Sequence, residues 1–163
     1  MIIIAEDVNS GEKIEVDVSD ENLEALRSLA QEKVSDSKLQ SYIDNLDMSA
    51  DAKVLIGSIL KTTVKVGELI VRVGKRLVEL VVMIVAKFPN ATFGLILGLL
   101  VGALVAAIPF LGAILSTFVM PIAAIFGLAK GYIDDCKDQA LAHKIAEAVA
   151  IFQPLNGEMN VAN

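Results

Sequence analysis

Hydrophobic and polar positions change their period along the chain, and each change marks a predicted element. Ile14, Val16 and Val18 alternate with Glu15 and Asp17, the period of two expected of a half-buried strand. Residues 2–5 form a second short apolar run. Between the two lie Asn9, Ser10 and Gly11, which suit a tight turn. A β-hairpin is therefore predicted at the start of the chain. A lone hairpin is marginal in water, so it must pack on something.

The period then becomes helical. Ser19 offers an N-cap ahead of Asp20 and Glu21, and Leu23, Leu26, Leu29 and Ala30 follow on one face. This predicts a helix over 20–33. Leu39, Tyr42, Ile43 and Leu46 predict a second over 37–46. Both are short and amphipathic, so both need tertiary partners. Ser49 caps the next predicted helix. No proline interrupts the chain from residue 50 to residue 87, and Pro89 follows. The pattern predicts one long helix over 50–87, with Gly57, Gly67 and Gly74 as places to bend.

On a wheel of that helix, Lys61, Lys65, Glu68, Arg72, Lys75, Arg76 and Glu79 fall within an arc of about 100°. The other faces are apolar. Such a basic stripe suits anionic lipid headgroups, each Lys or Arg near the surface contributing about 1 kcal/mol. Lys61, Lys65, Arg72, Lys75 and Arg76 are the predicted membrane-surface residues.

Residues 88–129 then contain no Asp, Glu, Lys, Arg or His. A spanning helix needs roughly 20 apolar residues, so the run fits two passes. Pro109 marks the turn of a helical hairpin with arms over 91–108 and 111–129. Gly94, Gly98 and Gly102 recur every four residues in the first arm. Gly112 and Gly127 are the small positions of the second, with Gly131 four residues further on. Small-residue ladders of this kind let helices approach closely. They are the predicted packing and oligomerisation positions. Lys87 and Lys130 flank the run, and the tip is uncharged. This predicts a hairpin with both termini of the chain on the cytoplasmic side. Four further helices, two of them short, are too few to jacket two apolar arms, so a membrane or an oligomer is expected to cover them. A last helix is predicted over 132–152.

Charge sharpens the division. Residues 1–50 carry 12 acids and 4 bases, residues 51–87 carry 3 acids and 7 bases, and residues 130–163 carry 5 acids and 3 bases. The whole chain of 163 residues has a formal net charge of −6, which argues against nucleic acid as a partner. The single Cys, Cys136, excludes a disulfide scaffold. Met1 is followed by apolar residues and then acids, without the basic start of a secretory signal. The predicted fold class is mainly α: an acidic cytoplasmic head over 1–48 with a β-hairpin and two short helices, a long basic amphipathic helix over 49–88, a Gly-rich hairpin over 89–131, and a C-terminal helix and tail over 132–163.

No catalytic constellation is visible. His143 is the one histidine, and it lies two turns, roughly 10 Å, from Cys136 if both share a helix. Asp134 and Asp138 suit a solvated first turn better than a metal site. Asp44, Asp47 and Asp51 lack the spacing and glycine of a calcium loop. No phosphate-binding or dinucleotide fingerprint occurs. No cofactor, metal or enzymatic activity is expected. The expected function is a homo-oligomeric membrane protein that inserts its hairpin and permeabilises the bilayer. The alternative is a non-catalytic membrane scaffold whose acidic head recruits a protein partner.

Overall fold

The computed structural model of the chain describes residues 2–7, 11, 13–17, 20–31, 34–127 and 139–156. The first hairpin is present. Strands β1 (Ile2–Asp7) and β2 (Lys13–Asp17) pair antiparallel, Ala5 opposite Ile14 and Ile3 opposite Val16. The two short helices follow as α1 (Asp20–Ala30) and α2 (Asp36–Asp44). Ser35 caps α2 by accepting from the Lys38 amide, and Ser49 caps α3 (Ala50–Leu60) by accepting from the Ala52 amide.

The long helix over 50–87 does not form. Helix α3 ends at Leu60 with Lys61 as its C-cap. Two short strands intervene, β3 (Val64–Val66) and β4 (Leu69–Val71), before α4 (Val73–Lys87). Local chemistry explains the break. Val64 and Val66 point inward while Lys65 faces out, a strand alternation. Gly67 opens a two-residue turn at φ +62, a conformation in which glycine avoids the steric cost of a Cβ. The decisive partner is distant in sequence. Strand β1 pairs antiparallel with β3, Ala5 opposite Val66 and Asp7 opposite Val64. This yields a four-stranded sheet in the order β2-β1-β3-β4. Its inner face carries Val64, Val66 and Val71, all buried.

Helices α3 and α4 therefore pack against one another instead of running on. At Gly74 they are so close that a Cβ would overlap the Ile59 carbonyl oxygen. The Gly74 amide donates to the Thr62 carbonyl at 3.1 Å.

The uncharged segment folds as α5 (Phe93–Ala107) and α6 (Pro109–Phe126). Thr92 caps α5 by accepting from the Leu95 amide. Pro109 begins α6, where its missing N–H costs no helical hydrogen bond. Helix α7 (Gln139–Ile151) and a single 3₁₀ turn, Gln153–Leu155, complete the described chain. The residues predicted to begin the last helix, 132–138, lie outside the described residues, as do Cys136 and the pair Asp134 and Asp138.

Helix α5 is the centre of the molecule. It packs against α4, α6 and α7, and ten of its 15 residues are buried. Ile96, Leu99, Leu100 and Leu104 of this predicted membrane arm lie inside the protein, as does Ile122 of the second arm. The jacket covers the first apolar arm, because α4, α6 and α7 all pack against it. It does not cover the second arm to the same degree. Only five of the 18 residues of α6 are buried: Phe110, Leu111, Ile114, Leu115 and Ile122.

Candidate functional site

Two features stand out from this bundle: the half-covered helix α6, and a polar cluster with an adjoining cleft on α4.

Helix α6 is 18 residues long and uncharged, and among the described helices it alone is long and apolar enough to cross a membrane. At 1.5 Å per residue it measures about 27 Å, close to the roughly 30 Å of a hydrocarbon core. Helix α5, at 15 residues, falls short at about 22 Å. A two-pass hairpin of full-length arms is thus replaced by one long arm and one shorter, buried arm. The outer face of α6 presents Ser116, Thr117, Met120, Ala124 and Ile125, with Met120 75% exposed. Pro121 lies inside the helix and cannot donate to the Thr117 carbonyl. Gly127 ends the helix in the left-handed conformation, φ +67. It is a C-cap, a role distinct from the packing position predicted for it.

Two glycines of the hairpin, Gly94 and Gly112, serve close packing within the chain. A Cβ at Gly94 would overlap the Phe126 ring, and one at Gly112 would lie 2.9 Å from the Val105 carbonyl oxygen. Gly98 and Gly102 are buried in α5. Gly131 lies outside the described residues.

The five predicted headgroup-binding residues do not share a helix. Lys61 caps α3 and is exposed. Lys65 is exposed at the middle of β3, opposite Glu6 of β1 and Ile70 of β4. Arg72 precedes α4, and its guanidinium donates to Asp36 Oδ1 at 2.7 Å. Lys75 is 2% exposed, with Nζ 2.9 Å from the same Asp36 oxygen. Arg76 Nη1 lies 3.5 Å from Glu79 Oε2, its side chain 12% exposed. Three of the five therefore face the acidic head or the interior. The periodicity of the charges is that of a hairpin followed by a helix, and it coincides with a helical wheel only by spacing.

Asp36 is the residue that the sequence does not single out. It sits at the first turn of α2 and ties that helix to α4 through two cations. The hydrogen bond from Lys75, and then that from Arg72, holds its carboxyl below the usual aspartate range. Glu79 makes a second tie: its Oε1 accepts from the Val34 amide at 3.3 Å, just ahead of α2. The one sequence signal for these contacts is the complementarity of the acidic head and the basic segment that follows.

Beside these ties a cleft of about 540 Å³ opens between α2 and α4, with Ile151 of α7 closing one end. Leu39, Tyr42, Leu80, Val82 and Met83 form its walls, and Lys38, Arg76 and Glu79 are its charged groups. On α7, His143 Nε2 lies 3.0 Å from Glu147 Oε1, and Lys144 Nζ lies 3.1 Å from Glu147 Oε2. The Lys144 hydrogen bond holds the Glu147 carboxyl below its ordinary range. Among the described residues no group of three His, Cys, Asp or Glu is placed to hold a metal.

Comparison of the chain with protein-family models, with characterised proteins and with solved structures finds no match.

Proposed function

We propose that the protein acts at a lipid bilayer, which it enters through the α5–α6 hairpin, and that copies associate there and permeabilise the membrane. One observation carries this reading. Helix α6 has the length and composition of a spanning segment, yet thirteen of its 18 residues are less than fully buried. An uncharged face of this kind is normally covered by lipid or by protein. The pairing of α6 with α5 suits insertion as a unit, because the glycines keep the two arms in close contact. Exposed Lys61 and Lys65 supply positive charge for an anionic surface, and Lys87 and Lys130 favour a cytoplasmic position for both flanks. The small residues Ser116 and Ala124 on the outer face of α6 suit contact between copies.

The test uses the purified full-length chain and dye-loaded vesicles, anionic or neutral. The protein should float with the vesicles, prefer the anionic ones and release dye. The double variant Met120→Glu, Ile125→Glu should bind at least tenfold more weakly, because two charges near a bilayer core cost about 2 kcal/mol or more. Its helical circular dichroism should match the wild type, since both side chains are exposed. Failure of the wild type to float with either vesicle overturns the reading. Binding without dye release would instead favour the non-conducting scaffold, in which the head and its surroundings recruit a partner.

A further inference from the structure

We infer that the cleft between α2 and α4 is a binding site for a single-chain anionic amphiphile, with a long-chain carboxylate as its simplest form. The inference is independent of membrane insertion, because the cleft lies on α4 and shares no residue with α6.

Shape comes first. A volume of about 540 Å³ lies within the roughly 300–1,000 Å³ of small-molecule sites. The cleft is also elongated. A smaller hollow of about 120 Å³ adjoins it and shares Leu80, Met83 and Ile151 with it, then continues to Lys87. Arg76, Leu80, Met83 and Lys87 recur at intervals of three or four, so one face of α4 floors the whole groove. From Arg76 to Lys87 that face is about 16 Å long. A long, narrow and mainly apolar trough suits an extended alkyl chain better than a compact polar ligand.

Charge then selects the head. Glu79 is already engaged on both oxygens, by the Val34 amide and by Arg76. Arg76 is not saturated. It carries five N–H donors, its contact with Glu79 is long at 3.5 Å, and its buried Nε has no hydrogen-bond partner among the described residues. A buried donor without a partner is costly and uncommon in folded proteins. Lys38, on the α2 wall of the same cleft, adds an exposed ammonium. Arg76 and Lys38 against Glu79 leave one net positive charge in the lining of an otherwise apolar trough. One carboxylate neutralises it, accepting from Arg76 and Lys38, while the chain runs along Leu80 and Met83 toward Ile151.

Titration calorimetry of the full chain with decanoate, below the concentration at which it aggregates, tests this. One saturable site per chain is expected. 1-Decanol, equal in length but uncharged, should bind about tenfold more weakly or worse, the loss of a charge-assisted hydrogen bond. Arg76→Gln should bring decanoate down to the level of decanol. Because Arg76 also contacts Glu79, the exposed Lys38→Gln provides a variant that leaves the fold intact, and it should weaken decanoate severalfold with no effect on decanol. Met83→Glu, at a site 58% exposed, should remove decanoate binding by placing a like charge in the trough. Met120→Glu on α6 should leave it unchanged. Equal affinities for decanoate and decanol, absence of a saturable site, or loss of binding in Met120→Glu but not in Met83→Glu would each overturn the assignment. The last outcome would mean adsorption to the hairpin.

Discussion

Asp36 shows how one exposed carboxylate can organise a buried cation. Its Oδ1 lies 2.9 Å from Lys75 Nζ and 2.7 Å from Arg72 Nη1, and Lys75 has almost no access to water. The depressed pKa of Asp36 fixes the sign of its pH dependence. Its contribution is complete above the ordinary aspartate value, near 3.9, and is lost as pH falls through the lower folded value. Asp36→Asn should therefore lower the urea midpoint at neutral pH, with little change in slope. The difference between wild type and variant should hold from about pH 7 to pH 5 and shrink below about pH 4. Midpoints measured across that range check it. A difference that grows on acidification would contradict the pairing. The sequence hinted at this contact only as a balance of charge between two segments. Which acid meets which base depends on where α2 crosses α4, and no local pattern encodes that.

At the scale of elements, the departure from the predicted long helix is instructive. Lys61, Lys65, Glu68, Arg72, Lys75, Arg76 and Glu79 fit a wheel because a short hairpin leading into a helix happens to space its charges by three or four residues. The signal for the hairpin was present in Val64, Lys65, Val66, Gly67 and the β-branched run around them. It was weak, because three-residue strands have little intrinsic stability. The strand that stabilises them, β1, comes from the opposite end of the acidic head. The turn itself is sharply specified. Gly67→Val should be destabilised by about 1–2 kcal/mol, the cost of forcing a side chain into the left-handed region, and more for a β-branched one. Urea denaturation monitored by circular dichroism measures it. Tolerance of valine here would mean that the chain continues as a helix through residue 67.

Across the whole molecule, burial is divided unequally between two nearly equally apolar helices. Helix α5 is the core against which α4, α6 and α7 pack, whereas α6 packs against α5 and α3 and, among the described residues, keeps an exposed strip. The contact between them turns on Gly94, where the Phe126 ring takes the place of a side chain. Gly94→Leu should force the arms apart. The expected result is a loss of about 1–3 kcal/mol, typical of an overpacked core. Binding of an environment-sensitive dye should rise at the same time, as the apolar surface of α5 reaches water. A variant as stable as the wild type, with no gain in dye binding, would show that the arms are not in contact at this position.

The sequence by itself determined the helical character of the chain, the N-terminal hairpin, the cap at Ser49, the break at Pro109 and the uncharged pair of arms. Each of these rests on near neighbours: a period of two or of 3.6, a capping hydroxyl, a proline without its N–H, a run without charge. Only the tertiary structure decided that residues 61–72 leave the helix, that Lys75 turns inward to Asp36, and that α5 is enclosed while α6 is half exposed. Those outcomes depend on pairings between residues far apart in the chain, above all β1 with β3 and α2 with α4. A strand without its partner, or a lysine without its carboxylate, has no preference that its neighbours in sequence can supply. Apolarity sets how much surface must be covered, and packing alone chooses which helix is covered by the protein itself.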